Sequence, residues 1–194
     1  MSGYGYERKT SPFMDEYANG QALFESCYCQ AIPTHPSYTS TFTGQYAITH
    51  GVVSHGGGRD ISWKVPFLPA VLRANGYTTC AVDNLYDHKE WFARGYEFYI
   101  NPQIRGEACH NIPCEHINSR AIPWLKAHAK EKFFLFIHYW DPHTPYLPPE
   151  KYRDLFYKGD PCDPKNKSLE GLWRHPFGQP WKEWFDRLMP GITD

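Results

Sequence analysis

The chain shows almost no excess of charge of either sign. Its 194 residues contain 20 Lys and Arg against 21 Asp and Glu, which gives a formal net charge of -1. A protein with this balance has no global field that would attract nucleic acid or an acidic membrane surface. We therefore expect no nucleic-acid partner, and any binding of anions must be local.

Long apolar runs are also absent. No stretch approaches the roughly 18 apolar residues that indicate a membrane-spanning helix. The N-terminal residues lack the apolar core of a signal peptide. We therefore expect the sequence as given to be soluble and cytoplasmic, without a membrane segment; an export signal on a longer N-terminus would change the expected compartment.

Cysteine patterns typical of zinc or redox sites are missing as well. The spacings match no Cys-x-x-Cys arrangement. Free thiols in a reducing compartment are the first interpretation, and a disulfide between Cys109 and Cys114 is the alternative. The six cysteines are Cys27, Cys29, Cys80, Cys109, Cys114 and Cys162.

The chain is rich instead in aromatic side chains and proline. It contains 7 Trp, 14 Tyr and 17 Pro, and 17% of its residues are aromatic. This composition favours long ordered loops packed by rings over disorder. No segment repeats with a period of about 20 to 50 residues, and the length suits one domain or part of one.

The order of the predicted elements is that of an α/β fold. Residues 77–83 and 133–140 are apolar or β-branched runs typical of sheet strands covered on both faces, and we predict the second as a central strand. Helical spacing of apolar residues precedes each run. Helices are predicted over 12–19, 36–43, 66–74, 117–130 and 181–189, a short strand over 22–29, and an irregular covering loop over 86–117.

The stretch 31–44 is the leading site candidate, because it presents a hydroxyl at the start of a helix. Pro33 and Pro36 fix the local backbone, and Thr34 or His35 lies near the helix cap. Backbone N–H groups and the positive end of the helix dipole converge there, which attracts oxyanions. The alternative is an ordinary proline-rich loop that caps an ordinary helix.

Polar side chains follow the two long predicted strands. Asp83, Asn84 and Tyr86 come after the first strand, and His143 follows the second on a loop stiffened by four prolines. Ligands of open α/β sheets gather at the carboxyl ends of strands, so these residues are candidates for the wall of a site.

Two further histidines, His50 and His55, lie in a glycine-punctuated loop over 48–58. A histidine in such a loop can reach a nearby anion or metal. A structural histidine that bonds the backbone is the alternative for each.

Four motifs in order resemble the sulfatase-like branch of the alkaline phosphatase superfamily, and together they cover nearly all of the chain. They are Gly-Tyr-Gly at 3–5 with Thr-Ser-Pro-Phe-Met-Asp at 10–15, Thr-His-Pro-Ser at 34–37 with Thr-Gly at 43–44 and His-Gly-Val at 50–52, Gly-Tyr-Thr-Thr at 76–79, and Phe-Phe-Leu-Phe at 133–136 with Asp-Pro-His-Thr-Pro-Tyr at 141–146. The resemblance implies an alkaline phosphatase-like sheet of mostly parallel strands flanked by helices, incomplete in this chain. Residues 1–194 would form a partial catalytic domain.

The resemblance also implies roles for individual residues. Thr34 matches the family's nucleophile and metal ligand, and His143 matches a histidine that contacts the transferred group or the leaving oxygen. His50, Tyr38 and Asn84 are the expected substrate-binding positions. Tyr38 stands where cysteine-type sulfatases carry an arginine, and Asn84 lies in the segment where arylsulfatases carry a lysine and a histidine that hold sulfate.

The activity implied by the resemblance is hydrolysis of a small anionic sulfuric, phosphoric or phosphonic ester. It would proceed through a covalent Thr34 intermediate, with a divalent metal ion such as Ca, Mg, Mn or Zn. Threonine cannot become formylglycine, so the mechanism differs from that of cysteine-type sulfatases. A phospho-headgroup transferase and a noncatalytic anion-binding module remain the alternatives.

The family's metal ligands before the Gly-Tyr-Gly region and after the last motif have no counterpart in these residues. We therefore expect a fragment or truncated reading frame that binds metal poorly and has negligible hydrolase activity alone. The oligomeric state is not predicted.

Overall fold

The computed structural model describes residues 1–143, 146 and 148–193, and of Leu188 it describes the backbone. The chain forms two compact units, residues 1–140 and 141–194. The helices are α1 (Pro12–Ala18), α2 (Thr34–Thr43), α3 (Ala47–His50), α4 (Leu68–Ala74), α5 (Cys114–His128), α6 (Glu150–Arg153), α7 (Glu170–Arg174) and α8 (Gln179–Leu188), and the strands are β1 (Thr78–Val82), β2 (Phe98–Ile100) and β3 (Phe133–Ile137).

The three strands form one parallel sheet in the order β2-β1-β3. Cys80 of β1 lies opposite Phe98 of β2 and Leu135 of β3. Helix α5 connects β2 to β3, as parallel pairing requires a crossover segment. The predicted α/β class with a parallel sheet and flanking helices is confirmed.

Alternate residues of β3 pack against helices on the two faces of the sheet. Phe134 and Phe136 join a core of side chains from α2, α4 and the segment after β1, whereas Phe133, Leu135 and Ile137 join the α5 core. A strand covered on both faces reads as a continuous apolar run, which explains the sequence of β3. The buried residues of the first core are Phe42, Val52, Ile61, Phe67, Leu85, Trp91 and Phe92, and those of the second are Cys80, Val82, Ile112, Ile117, Ala121 and Trp124.

Three predictions about the strands were wrong. Among the described residues the middle strand is β1, and β3 lies beside it and is half-buried along its whole length. The predicted strand over 22–29 is irregular, with exposed Phe24 and Tyr28 and no ladder partner within the described chain. Strand β2 lies inside the stretch that was predicted to be irregular.

The predicted helices are present with small shifts at their ends. Helix α2 begins two residues before the predicted start, and Gly44 ends it in the left-handed conformation that glycine favours. Helix α5 begins three residues earlier than predicted and contains Pro123.

All six cysteines are free thiols, so the alternative disulfide between Cys109 and Cys114 is not formed. Burial raises the pKa of the Cys80 thiol to about 12. Within the described part of the chain, no helix has the length and apolar character needed to cross a membrane.

Candidate active site

The N-terminus of α2 presents the Thr34 hydroxyl and two unpaired backbone N–H groups. Pro33 precedes the helix with an extended backbone, and the first helical hydrogen bond runs from the Ser37 N–H to the Pro33 carbonyl over 3.1 Å. Within the described residues, neither the Thr34 hydroxyl nor the N–H groups of Thr34 and His35 have a hydrogen-bond partner. Such a helix end suits an anion, because unpaired donors and the helix dipole act together.

Tyr38 lies one helical turn after Thr34 and therefore on the same face of α2. Its ring meets Phe136 and His138 edge-on, with centroid distances of 5.6 and 5.0 Å. Burial, helped by the nearby Asp83 charge, raises the pKa of the Tyr38 hydroxyl. The face of α2 that carries Thr34 is thus turned toward the end of β3.

His50 links the end of α3 to the middle of α2. Its Nδ1 accepts the Val52 backbone N–H at 3.1 Å, and its Nε2 lies 2.9 Å from the Ser40 hydroxyl. The side chain is buried, which lowers the pKa of the ring. Both ring nitrogens are engaged inside the protein, and the expected substrate contact of His50 stays a prediction.

Asn84 follows β1 and is fully buried. Its amide nitrogen donates to the Gln103 side chain at 2.9 Å and to the Cys109 carbonyl at 2.8 Å, and its amide oxygen accepts the Trp140 indole N–H at 3.0 Å. Both amide hydrogens are therefore used to hold loops together. The expected substrate contact of Asn84 stays a prediction for which no free donor remains in this conformation.

A buried Asp83–His138 pair lies at the carboxyl ends of β1 and β3. Asp83 Oδ1 bonds His138 Nδ1 at 2.8 Å, and Asp83 Oδ2 accepts the Tyr99 hydroxyl at 2.6 Å and the Leu85 N–H at 2.9 Å. The carboxylate thus fixes the orientation of the imidazole ring. Sequence reasoning named Asp83 as a possible wall residue but missed His138, although a polar residue directly after the apolar run of β3 was a usable signal.

His143 belongs to the second compact unit, where its side chain is exposed and its carbonyl accepts the Tyr146 N–H at 3.1 Å. Part of the predicted motif and of its loop lies outside the described residues, namely Thr144, Pro145 and Leu147. The role of His143 at the substrate stays a prediction.

Comparison with known proteins decides the family of this chain. The family model described as Sulfatase matches residues 1–183. The chain belongs to the sulfatase family. A curated relative, N-acetylglucosamine-6-O-sulfatase of Bacteroides thetaiotaomicron, is 23% identical over 171 residues, which are 80% of this chain and 30% of the relative. The chain therefore spans about a third of the length of that sulfatase.

The sulfatase family generally uses a divalent metal. Divalent metals in proteins bind several carboxylate, imidazole or thiolate ligands together. Among residues 1–143, 146 and 148–193, no group of three or more His, Cys, Asp or Glu side chains is placed to hold a metal ion. The described residues do not fit a complete metal site.

The stability of this sulfatase-family chain is expected to fall as the pH drops from about 7 to 5. Burial lowers the pKa of His50, and burial with the neighbouring His55 lowers the pKa of His35 to about 4. The unfolded chain then binds more protons than the folded chain below the ordinary histidine pKa, so acid favours unfolding. We expect the thermal midpoint to fall on the order of 5 °C between pH 7 and pH 5.

Thermal unfolding monitored by circular dichroism tests this expectation. His50→Gln removes one of the titrating groups and should reduce the change between the two pH values. A midpoint that is the same at both pH values would contradict the assignment of neutral buried histidines.

Proposed function

We propose that this chain carries the nucleophile segment of a hydrolase that cleaves sulfuric, phosphoric or phosphonic esters, and that Thr34 is the nucleophile. The observation that carries the proposal is the position of the Thr34 hydroxyl. It is the first residue of α2, it has no hydrogen-bond partner within the described residues, and two unpaired N–H groups lie at the same helix end. The family match over residues 1–183 supports an ester hydrolase.

In the first step the Thr34 oxygen attacks sulfur or phosphorus, and the bond from that atom to the leaving oxygen breaks. The hydroxyl proton is lost from Thr34, and the leaving oxygen takes up a proton to depart as an alcohol. Water then attacks the covalent ester, which restores the hydroxyl and releases the transferred group, as sulfate, phosphate, a phosphate monoester or a phosphonate according to the substrate. The N–H groups at the start of α2 are suited to stabilise negative charge on the transferred group in both steps.

Threonine in place of cysteine supports this simple hydroxyl mechanism, because threonine cannot be oxidised to formylglycine. The relative from Bacteroides thetaiotaomicron is a sulfatase by name. The sulfate, phosphate and phosphonate esters all present a tetrahedral anionic centre, so the same nucleophile and donors are compatible with each. His143 is proposed as a further contact to the transferred group or the leaving oxygen.

We further propose that the reaction depends on a divalent metal, as the family generally does, and that the 194 residues alone hold it poorly. The described residues contain no cluster of three or more metal-ligating side chains. No step of the reaction is assigned to the metal, since the described residues contain no complete set of ligands for it; the role of Thr34 as a metal ligand stays a prediction.

The proposal is tested with a panel of aryl sulfate, phosphate monoester, phosphate diester and phosphonate esters in the presence of Ca, Mg, Mn or Zn. Two samples are compared, the 194-residue chain and the product of the complete reading frame that contains it, called the complete gene product below. We expect the complete gene product to hydrolyse one class of ester and the 194-residue chain to remain at background. Robust turnover by the chain alone would overturn the second expectation.

A complete gene product that binds the anions but hydrolyses no ester in the panel would contradict the proposed hydrolase. Product analysis with an added alcohol identifies what attacks the covalent intermediate. Release of the transferred group as the free acid anion indicates hydrolysis, and predominant transfer to the alcohol would show a transferase instead.

A further inference from the structure

His35 carries a buried hydrogen-bond donor without an acceptor. The side chain is 2% exposed, and its Nδ1 accepts the Gly56 backbone N–H at 3.1 Å. The proton of the neutral ring therefore lies on Nε2, which is buried and has no partner within the described residues. A buried donor without an acceptor costs about 1–3 kcal/mol, and native proteins leave few of them. An acceptor supplied by a ligand would remove this cost.

The groups around His35 are basic. The ring of His55 stacks on it with a centroid distance of 4.0 Å, and the ring of His88 lies 5.5 Å away. Lys89 follows His88, and its ammonium group donates to the Gly57 carbonyl. These four residues, His35, His55, His88 and Lys89, are called the basic cluster below.

The side chains of His88 and Lys89 have no carboxylate partner among the described residues. Among the described residues, no Asp or Glu forms an ion pair with His88 or Lys89. Asp87, which precedes them in the sequence, accepts a hydrogen bond from the Asn101 side chain at 2.8 Å. The Lys89 ammonium donates to the Gly57 carbonyl and lies 5.3 Å from the centroid of the Trp91 ring, and it has ammonium hydrogens left to donate to a ligand.

The basic cluster also lies at the anion-attracting end of α2. His35 is the second residue of that ten-residue helix and follows Thr34 directly, and the N–H groups of both residues are unpaired within the described chain. The residue that carries the unpaired donor is therefore adjacent in the sequence to the proposed nucleophile, at the same end of α2.

We propose that the basic cluster binds the tetrahedral oxyanion of the ester, sulfate or phosphate. His35 Nε2 and the Lys89 ammonium donate to its oxygens, and His55 and His88 flank it. This assignment rests on the proposed function for the identity of the anion. It assigns anion binding to residues 35, 55, 88 and 89, rather than to Asn84, whose amide hydrogens are already used.

Access to the buried nitrogen is provided by the loop that carries His55. His55 is exposed, and the loop continues with three glycines. Two of them, Gly56 and Gly58, have open space on the side where a Cβ atom would project, with no other atom within 4 Å of that point. Hydrogen bonds hold the loop at other points, from the Gly56 N–H to His35 Nδ1 and from Lys89 to the Gly57 carbonyl. In the proposed complex the His55 ring has moved off the His35 ring, so that the anion reaches His35 Nε2.

The test is the affinity of the purified 194-residue chain for inorganic sulfate and, separately, for inorganic phosphate, measured by isothermal titration calorimetry at low ionic strength. Lys89→Met is expected to weaken binding about tenfold and His88→Gln a few-fold, as removal of charge-assisted donors does. His35→Asn keeps an acceptor for the Gly56 N–H, lacks the Nε2 donor, and should also weaken binding. The tighter of the two anions identifies the class of ester.

Lys126→Met is the matched control, because it removes the same charge from an exposed position on α5, and its affinity should equal that of the unaltered chain. The proposal is overturned if the unaltered chain binds neither anion, if Lys89→Met and His88→Gln bind as tightly as it does, or if Lys126→Met weakens binding equally. Thr34→Val should keep the anion affinity. An active Thr34→Val enzyme would refute the nucleophile while leaving the anion site intact, so the two proposals fail separately.

Discussion

Replacement of Thr34 by valine is expected to lower ester hydrolysis by the complete gene product at least about a thousandfold, since loss of a nucleophile removes the covalent route. Valine keeps the branched shape of threonine and removes the hydroxyl. The residue is half-buried at the start of α2, and its hydroxyl bonds no group within the described residues. The fold should therefore be retained while turnover is lost.

Thr34→Ser and Thr41→Val are the controls for this result. Serine restores a hydroxyl at the same position and should retain hydrolysis within about tenfold of the unaltered protein. Thr41 is an exposed residue of the same helix whose hydroxyl bonds the Ser37 carbonyl at 3.0 Å, and its replacement should leave turnover unchanged. Hydrolysis by Thr34→Val at the unaltered rate would exclude Thr34 as the nucleophile.

Replacement of Asp83 by alanine is expected to lower the free energy of unfolding by about 3–5 kcal/mol, because three donors lose the buried carboxylate that accepts their hydrogen bonds. The substitution leaves His138 Nδ1, the Tyr99 hydroxyl and the Leu85 N–H without their acceptor. Each is a donor at the end of the central strand, where water does not easily replace the carboxylate.

Urea unfolding of the 194-residue chain measures this effect, and Asp87→Ala is the matched control. Asp87 is exposed and accepts one hydrogen bond, from the Asn101 side chain. Its loss should cost less than about 1 kcal/mol. If the two alanine variants unfold at the same urea concentration, the Asp83–His138 pair does not hold the strand ends together.

The main strands could be predicted because their apolar runs are determined by burial. Strand β3 packs Phe134 and Phe136 into one core and Phe133 and Leu135 into the other, and this alternation produces the unbroken run in the sequence. Strand β2 has only three residues and lies between irregular segments. It is too short to show the two-residue alternation of polar and apolar side chains that indicates a strand. In the stretch 22–29, apolar and polar residues alternate as in a strand, but the stretch pairs with no strand in the described chain. Alternation alone does not show whether a partner strand is available.

The approximate position of α2 was predictable because proline and glycine lie near its two ends, and these residues act through local backbone geometry. The helix begins at Thr34 rather than Pro36, and Pro33 rather than Thr34 or His35 is its cap.

The environments of His50 and Asn84 could not be predicted from the sequence. Each side chain forms hydrogen bonds to residues that come close only when the chain folds. The Asp83–His138 pair required knowing that β1 and β3 are neighbours, which depends on the topology of the sheet.

The most direct test of the central claim is the mass of the peptide that contains Thr34, measured after acid quench of the complete gene product during turnover of an aryl ester. The account predicts a peptide that carries one additional sulfo or phospho group located on Thr34 by fragmentation, and no such peptide from Thr34→Val. An additional group located on another residue, with Thr34 unmodified during turnover, would contradict it.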